Sequence, residues 1–213
     1  MTPGFLFDGP HDAPFTLLLA HGAGAPMDSS SMSAISGALG SVGFRVARFE
    51  FEYMAARRNA SQRRPPPRAE RLVPEYLAAV AALNTSGRLV IGGKSMGGRV
   101  ASMVADALHA EGRIVGLLCL GYPFHPPGRP EQLRTGHLLD LATPCLICQG
   151  TRDPFGTREE VTEYALSDRI EILWVEDGDH DLIPRKRTTG LTATAALRAL
   201  ADAVASWASR AAL

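Results

Sequence analysis

The residues best suited to chemistry lie in one pentapeptide, Gly93-Lys94-Ser95-Met96-Gly97. An apolar run at 89–92 comes directly before it, and a segment at 98–105 that reads as a helix comes directly after it. A strand, a sharp turn with a serine at its tip and a helix together form a nucleophile elbow, which exposes the serine hydroxyl above the end of a sheet. Glycines two residues before and after the serine avoid side chains that would collide in this turn. The pattern predicts that Ser95 is a nucleophile.

A serine hydroxyl is a poor nucleophile at neutral pH and needs an adjacent base, and the chain offers one downstream. His180 follows an apolar segment at 170–175 and Asp153 follows another at 145–150, so each lies just past the end of a predicted strand. Ligands of open α/β sheets bind at these carboxyl ends. His180 would accept the Ser95 proton, and Asp153 would fix the imidazole tautomer and stabilise the imidazolium.

Three other carboxylates compete with Asp153 for this role because they lie close to His180 in sequence: Asp177, Asp179 and Asp181. We favour Asp153, since it follows a strand of its own, and we expect the other three to keep a turn polar. The alternative to the whole arrangement is that Ser95 is a helix cap and His180 an ordinary surface histidine.

The small-residue loop at 21–26 is a candidate oxyanion hole. It follows the apolar segment 15–20, and its small side chains let a backbone N–H approach a reacting carbonyl oxygen. The N–H of Met96, the residue after the nucleophile, would be one donor, and the N–H of Ala23 would be the other. We expect His21 to hydrogen-bond locally and hold this loop.

Predicted strands and helices alternate along the chain. This alternation favours a doubly wound α/β fold, with a mostly parallel sheet of about 6–7 strands flanked by helices. Residues 52–68 are polar and contain three prolines, so they are predicted to form a loop. The connection at 122–141 is too short for a lid domain, so we expect an open site. The remaining predicted elements are strands at 44–51, 88–92 and 114–120, and helices at 31–42, 69–83, 98–109 and 191–207.

Length and composition narrow the class of protein. With 213 residues, 46% of them hydrophobic, the chain suits one domain spanning 1–213. The formal net charge is zero, so no overall field favours nucleic acid or an anionic membrane. Three cysteines, with no signal peptide and no run long enough to cross a bilayer, predict a cytoplasmic location. Cys145 and Cys148 lie three apart on a predicted strand and point to opposite faces, which indicates buried side chains rather than a metal site.

Four motifs in order resemble those of a known superfamily: His21-Gly22-Ala23-Gly24-Ala25, Gly93-Lys94-Ser95-Met96-Gly97-Gly98, Gln149-Gly150-Thr151-Arg152-Asp153 and Gly178-Asp179-His180. The chain is similar over nearly its whole length to α/β-hydrolases of the small, lidless, dienelactone-hydrolase-like kind. Within that kind it resembles a branch of hydrolases related to a testis-expressed protein and to a chromatin-complex subunit. The resemblance implies an α/β-hydrolase fold without a lid. Dienelactone hydrolases carry a cysteine where this chain has Ser95, so their specific activity is not implied.

An arginine-rich stretch suggests how a substrate could be bound. Residues 45–71 hold eight arginines and three glutamates, a local excess of five positive charges. The guanidinium groups of Arg63 and Arg64 could hold a carboxylate or phosphate of a substrate. Tyr122 and Phe124 are expected at the rim of the site, where they would contact the substrate.

The same stretch has two other interpretations. It could be a solvated loop anchored by Glu50 and Glu52, or residues 63–68 could form a polyproline segment that binds a protein partner. The hypothesis from the sequence is hydrolysis of a small carboxylic ester or thioester, neutral or anionic, through an acyl-enzyme and without a metal or organic cofactor. Because some members of the resembling branch are better known as parts of complexes, a catalytically weak scaffold that acts as a protein-interaction module stays as the alternative.

Overall fold

A mostly parallel sheet of seven strands forms the centre of the molecule, in the order β1-β3-β2-β4-β5-β6-β7. The computed structural model describes residues 3–59, 65–85 and 87–212. The first strand runs antiparallel to its neighbour β3, and the other six are parallel to one another. The strands are β1 Phe5–Asp8, β2 Phe15–Ala20, β3 Arg45–Phe49, β4 Arg88–Lys94, β5 Gly116–Leu120, β6 Cys145–Gly150 and β7 Ile170–Val175. The expected strand number and the mostly parallel arrangement are confirmed.

Helices cover both faces of the sheet. They are α1 Ser30–Ser41, α2 Glu52–Asn59, α3 Val73–Ala82, α4 Met96–Ser102, α5 Ala105–Ala110, α6 Arg158–Val161, α7 Lys186–Thr189 and α8 Ala193–Ala211, with 3₁₀ turns at Ala69–Leu72 and Gly136–Leu138. Helices α3, α4 and α5 pack into one hydrophobic core, and α1 and α8 pack into the other. Across the described ranges, no helix is both long and apolar enough to span a membrane.

The central strands are apolar on both faces because each face is covered. In β2, Leu17 and Leu19 belong to the core under α1 and α8, whereas Leu18 belongs to the core under α3 and α4. In β6, Cys145 and Cys148 are both fully buried and lie in opposite cores, as their spacing predicts. Strands of this kind appear in sequence as continuous apolar runs rather than as alternating patterns.

The carboxyl ends of three strands converge on one edge of the sheet. Ser95 follows β4 directly, Asp153 lies in the loop after β6, and His180 lies in the loop after β7. The order of the strands reverses between β2 and β4, and ligands of doubly wound sheets bind at such a switch point. The fold therefore places the candidate residues at the edge where a site is expected.

Three of the predicted elements need correction. Residues 52–68 were expected to form a loop, but the first eight form α2, and residues 60–64, with Arg63 and Arg64, lie outside the described residues. The helix expected at 98–109 begins at Met96 and ends at Ser102, and a second one begins at Ala105. The helix expected at 69–83 begins as a 3₁₀ turn, because Pro74 lies in the first turn of α3 and lacks the N–H that a longer helix needs there. The short edge strand β1 was not predicted.

The connection between β5 and β6 contains no lid among the described residues. Its only helical element there is the 3₁₀ turn Gly136–Leu138. Tyr122 donates a hydrogen bond from its hydroxyl to the carbonyl of Arg134, 2.9 Å away, and the N–H of Arg134 donates to the carbonyl of Phe124 at 2.8 Å. The connection is thus folded back on itself beside the end of the sheet.

Candidate active site

Ser95 occupies a backbone conformation that a residue with a side chain seldom adopts. Its φ is 50° and its ψ is −117°, between the end of β4 and the start of α4. Such a conformation typically costs about 1–3 kcal/mol and persists only where the surroundings hold it. Here the N–H of Ser95 donates to the carbonyl of Leu120 at 2.9 Å, and its carbonyl accepts from the N–H of Arg99 at 3.0 Å. The sharp turn between a strand and a helix that the sequence predicts is therefore present at Ser95.

The glycines of the pentapeptide are required by close backbone contacts. A Cβ on Gly97 would lie 2.7 Å from the backbone carbon of Ala20, and a Cβ on Gly93 would lie 2.7 Å from that of Gly97. These separations are shorter than real Cβ contacts, so β2, β4 and α4 could not approach one another as closely with larger residues. The close approach sets the sharp turn at the serine.

The side chains of His180 and Asp153 are hydrogen-bonded, with His180 Nδ1 at 2.8 Å from Asp153 Oδ2. Asp153 is fully buried and its carboxylate also accepts from Gln149 Nε2 at 3.0 Å and from the N–H of Phe155 at 2.9 Å. Since the carboxylate accepts all three bonds, we assign the ring proton to Nδ1. That tautomer leaves Nε2 of His180 with a free lone pair, which a general base requires.

The three rival carboxylates have other partners. Asp177 accepts from the N–H of Arg185 at 2.9 Å and forms a salt bridge with its guanidinium, which holds the pKa of Asp177 well below its usual value. Asp179 accepts from the N–H groups of Asp181 and Ile183 at 3.0 and 3.1 Å and so closes the turn.

Asp181, the third rival, lies 3.0 Å from Lys94 Nζ and accepts a hydrogen bond from Ser31 Oγ at 2.9 Å. Lys94 Nζ also donates to the carbonyl of His180 at 3.0 Å. Lys94, the residue before Ser95, thus links the loop after β7 to the end of β4.

The His180 ring is packed on two sides and remains partly open to solvent. Phe155 stacks on it with ring centroids 4.3 Å apart, and the side chain of His180 is 23% exposed. Gly121 lies against it so closely that a Cβ there would be 3.3 Å from Nδ1. Within the described part of the chain, Ser95 Oγ has no hydrogen-bond partner, so the structure joins His180 to Asp153 but not to Ser95.

The loop that follows β2 lies beside Ser95. A Cβ on Gly22 would be 3.7 Å from the Cβ of Ser95, and Ala23, Ser95 and Met96 line the same cleft. The carbonyl of Ala23 accepts from the hydroxyl of Tyr53 at 3.1 Å. Burial raises the pKa of Tyr53 to about 12, so this hydroxyl keeps its proton over the ordinary pH range.

His21 fixes the start of this loop from inside the protein. Its side chain is fully buried, with Nδ1 2.7 Å from the carbonyl of Gly22, and Nε2 accepts from the N–H of Phe51 at 3.1 Å. Burial lowers the pKa of His21. Both ring nitrogens are therefore used by the neutral form, which agrees with the expected local role.

The cleft above Ser95 has a volume of about 530 Å³. Its lining combines proline and aromatic surfaces with three arginines and one glutamate. The residues are Ala23, Pro66, Pro67, Arg68, Ala69, Glu70, Ser95, Met96, Arg99, Pro123, Arg134 and Phe155.

Two expected rim residues lie elsewhere. Tyr122 and Phe124 are both fully buried and belong to the core under α3 and α4. Their rings pack edge to face with centroids 5.0 Å apart. This burial corrects the expectation that they contact a substrate, and Pro123 between them is the residue that reaches the cleft.

The arginines of the cleft were missed as site residues. Arg99 lies one helical turn after Ser95, so its spacing from the nucleophile is a signal that sequence analysis could have used. Arg134 lies in an irregular connection 39 positions after Ser95 (134 − 95), and nothing in the local sequence places it near the serine. Arg68, in contrast, belongs to the arginine-rich stretch 45–71, whose sequence suggests binding of an anionic substrate.

The fold and the geometry at its edge define an α/β-hydrolase. The sequence model of a family described as "Alpha/beta hydrolase domain" matches residues 13–209, so the chain belongs to this family.

Solved structures of three other proteins share the fold. One is a lidless α/β serine hydrolase from Xanthomonas campestris, 19% identical, with a TM-score of 0.67 over 97% of this chain and 88% of that one. A dienelactone hydrolase from Anabaena variabilis is 17% identical, with a TM-score of 0.71 over 99% of both chains. The protein Est1E from Butyrivibrio proteoclasticus, solved with ferulic acid bound, is 15% identical, with a TM-score of 0.63 over 93% of both chains. At these identities the likeness shows the fold alone.

Proposed function

We propose that this protein is a serine hydrolase that cleaves a small carboxylic ester or thioester through Ser95, His180 and Asp153. The observation that carries the proposal is the buried hydrogen bond between Asp153 and His180 at the sheet edge where Ser95 forms a strained elbow. A positioned carboxylate, an oriented imidazole and a serine that is at least partly accessible are the parts that acyl transfer uses on unrelated folds, and Ser95 is partly buried.

In the first half of the proposed reaction, His180 Nε2 takes the proton from Ser95 Oγ as the oxygen attacks the carbonyl carbon of the substrate. The negative charge that develops on the carbonyl oxygen is stabilised by the N–H groups of Met96 and Ala23. Collapse of the tetrahedral intermediate breaks the bond to the alcohol or thiol, which leaves with the proton from His180. The acyl group remains on Ser95.

In the second half, His180 takes a proton from water, and the resulting hydroxide attacks the acyl-enzyme. The bond between the acyl carbon and Ser95 Oγ breaks, the serine regains its proton from His180, and the carboxylic acid is released. Asp153 stabilises the imidazolium in both halves. Catalytic hydrogen bonds are often long in ligand-free enzymes and shorten when substrate binds, which accounts for the missing bond between Ser95 and His180.

The dimensions of the cleft support a small substrate. Its volume of about 530 Å³ lies within the usual range of small-molecule sites, which is about 300–1,000 Å³. Pro66, Pro67 and Phe155 offer apolar contact to one part of the substrate. Two prolines of the arginine-rich stretch thus face the cleft, which favours substrate binding over a separate role in binding a protein partner.

Labelling with a fluorophosphonate tests the proposal. We expect the purified protein to react at Ser95, and Ser95→Ala and His180→Ala to abolish the labelling. Asp153→Asn should slow ester hydrolysis on the order of 10⁴-fold, because the imidazole loses its orienting carboxylate. Ser41→Ala and His109→Gln, which alter residues outside the cleft, should label like the wild type. A folded wild type that does not react would favour the scaffold alternative.

A further inference from the structure

Three arginines surround the cleft above Ser95, and one carboxylate accompanies them. Arg68, Arg99 and Arg134 line it with Glu70, which leaves two positive charges in excess on a chain whose net charge is zero. The other residues of the lining carry no charge. This local excess has no counterpart in the proposed reaction, since a neutral ester needs none of these guanidinium groups.

Arg134 is the arginine of the cleft that forms no ion pair with a described residue. Its backbone is fixed by the hydrogen bonds to Phe124 and Tyr122, yet its guanidinium makes no hydrogen bond or salt bridge with any described residue. The side chain is half-buried, and burial together with the nearby charge of Arg99 lowers the pKa of Arg134. A partly desolvated cation with no partner costs stability, and an anion in the cleft would offset that cost.

Arg99 is partly neutralised and keeps N–H donors that Glu70 does not use. Its Nη2 lies 2.8 Å from Glu70 Oε1, while its Nε is buried and has no hydrogen-bond partner among the described residues. Because Arg99 lies one turn into α4, its backbone position relative to Ser95 is fixed by the helix. Glu70 is more than half exposed, at 58%, so it can move away from Arg99 when a ligand arrives.

We propose that Arg134, assisted by Arg99, binds a carboxylate on the substrate, so that the preferred substrate is a small acidic ester or thioester. This inference rests on the proposed function and names the substrate class. Arg99 already has Glu70, and Arg68 is exposed to solvent, so among the described residues that line the cleft Arg134 is the half-buried arginine without an ion pair. One such charge matches a monoanionic carboxylate, whose two oxygens fit the fork of a guanidinium. The proposed anion site thus lies at Arg134 and Arg99, whereas Arg63 and Arg64, the arginines expected from sequence, lie outside the described residues.

Two matched pairs of esters test the proposal by turnover. The first pair places the charge on the acyl side: p-nitrophenyl hydrogen adipate and its neutral methyl ester. The second places it on the leaving group: 4-acetoxybenzoate and its methyl ester. In at least one pair we expect the wild type to favour the acidic ester, and Arg134→Met to lower the ratio of the two kcat/KM values about 10- to 100-fold.

Three further variants sharpen the comparison. Arg129→Met removes an exposed cation of the same connection, outside the cleft, and should leave the ratio unchanged. Arg134→Lys should retain part of the preference, because it keeps the charge and loses the fork. Glu70→Gln should raise the ratio, since it releases Arg99 for the substrate. If Arg134→Met leaves the ratio unchanged in both pairs, the proposal is wrong.

A binding measurement separates this proposal from the proposed function. Monomethyl adipate and neutral dimethyl adipate are titrated by calorimetry into the Ser95→Ala protein, which cannot form an acyl-enzyme. We expect binding of the anion alone to weaken at least about tenfold in Ser95→Ala/Arg134→Met. If Arg134→Met weakens anion binding but the wild type is not labelled by the fluorophosphonate, the anion site is supported and the hydrolase is rejected. If the wild type is labelled but anion binding does not depend on Arg134, the hydrolase is supported and the anion site is rejected.

Discussion

The residues around Ser95 combine local strain with tight contacts that maintain it. Gly121, which follows β5, has a φ of 65° and lies directly against His180. A Cβ there would meet the carbonyl of His180 at 2.9 Å and Nδ1 at 3.3 Å. The position of the candidate base therefore depends on a residue that takes no part in the chemistry.

We expect Gly121→Ala to reduce ester hydrolysis by more than about tenfold, since the methyl group pushes the His180 ring away from Asp153 and misplaced catalytic groups lose rate steeply. Gly128→Ala is the matched control, because Gly128 lies in the same connection with a φ of 71° and has nothing within 4 Å of its added Cβ. Both variants carry the strain of a positive φ, typically about 1–3 kcal/mol. Urea unfolding of the two proteins measures the cost of the positive φ, which both variants share. Steady-state kinetics measure the effect of the contact with His180, which only Gly121→Ala changes. Equal activity of the two variants would contradict the prediction.

At the scale of elements, motifs and periodic patterns were predictable from the sequence, and long-range pairing was not. The bounds of β2 and β7 agree with the apolar runs at 15–20 and 170–175, because those runs end at turn residues. Helix α2 was missed, since it has no apolar stripe and is held partly by ion pairs of Arg58 with Glu50 and Asp28, each at 2.7 Å. Those partners lie outside the helix, so the helix cannot be recognised from its own residues.

In the candidate site too, the residues fixed by local patterns were predictable and those placed by long-range contacts were not. Ser95, Asp153 and His180 could be proposed because a turn motif and the ends of strands fix where such residues meet. Arg134 could not, because an irregular connection carries it to the cleft through two backbone contacts. Tyr122 was placed wrongly for a related reason, since the direction of a side chain after a strand depends on how the following loop folds.

Helix α3 is joined to the sheet by one buried hydroxyl. Tyr76 Oη accepts from the N–H of Gly92 at 2.8 Å and lies 2.7 Å from the carbonyl of Gly92 and 3.1 Å from that of Leu18. The side chain is fully buried, so water cannot replace these bonds. The hydroxyl links α3 to β2 and β4 close to the elbow.

We expect Tyr76→Phe to lower the free energy of unfolding by about 1–3 kcal/mol, because the N–H of Gly92 loses its partner in the core. Tyr164→Phe provides the control, since the hydroxyl of Tyr164 is buried and no described residue hydrogen-bonds to it. Its removal should be neutral or stabilising. Urea denaturation of both variants measures the difference. A loss of similar size in the two would show that the bonds of Tyr76 contribute little.

For the whole molecule, the titratable groups whose pKa is shifted on folding couple stability to pH. The pKa of His21 is lowered by burial, and that of His137 is lowered by burial and by nearby Arg99. Carboxyl groups such as Asp28 and Asp177 have a lowered pKa because arginines bond to them. The histidines reduce the free energy of unfolding only as the pH falls below their ordinary pKa of 6.5. The carboxyl groups reduce it only as the pH falls below their ordinary pKa of 3.8. The two effects therefore fall in separate pH ranges.

Between pH 7 and pH 5 we expect the free energy of unfolding to fall, and His21 to account for part of the slope. The unfolded chain binds a proton at His21 below pH 6.5, whereas the folded protein resists it, because a proton on Nε2 would meet the N–H of Phe51. Each pH unit in this range can thus remove up to about 1.4 kcal/mol per such histidine. His21→Gln keeps an acceptor and a donor but does not titrate, so urea unfolding at several pH values should show a shallower slope. His11→Gln, at an exposed position, should leave the slope as it is. Parallel slopes for the wild type and His21→Gln would assign the pH dependence to other groups.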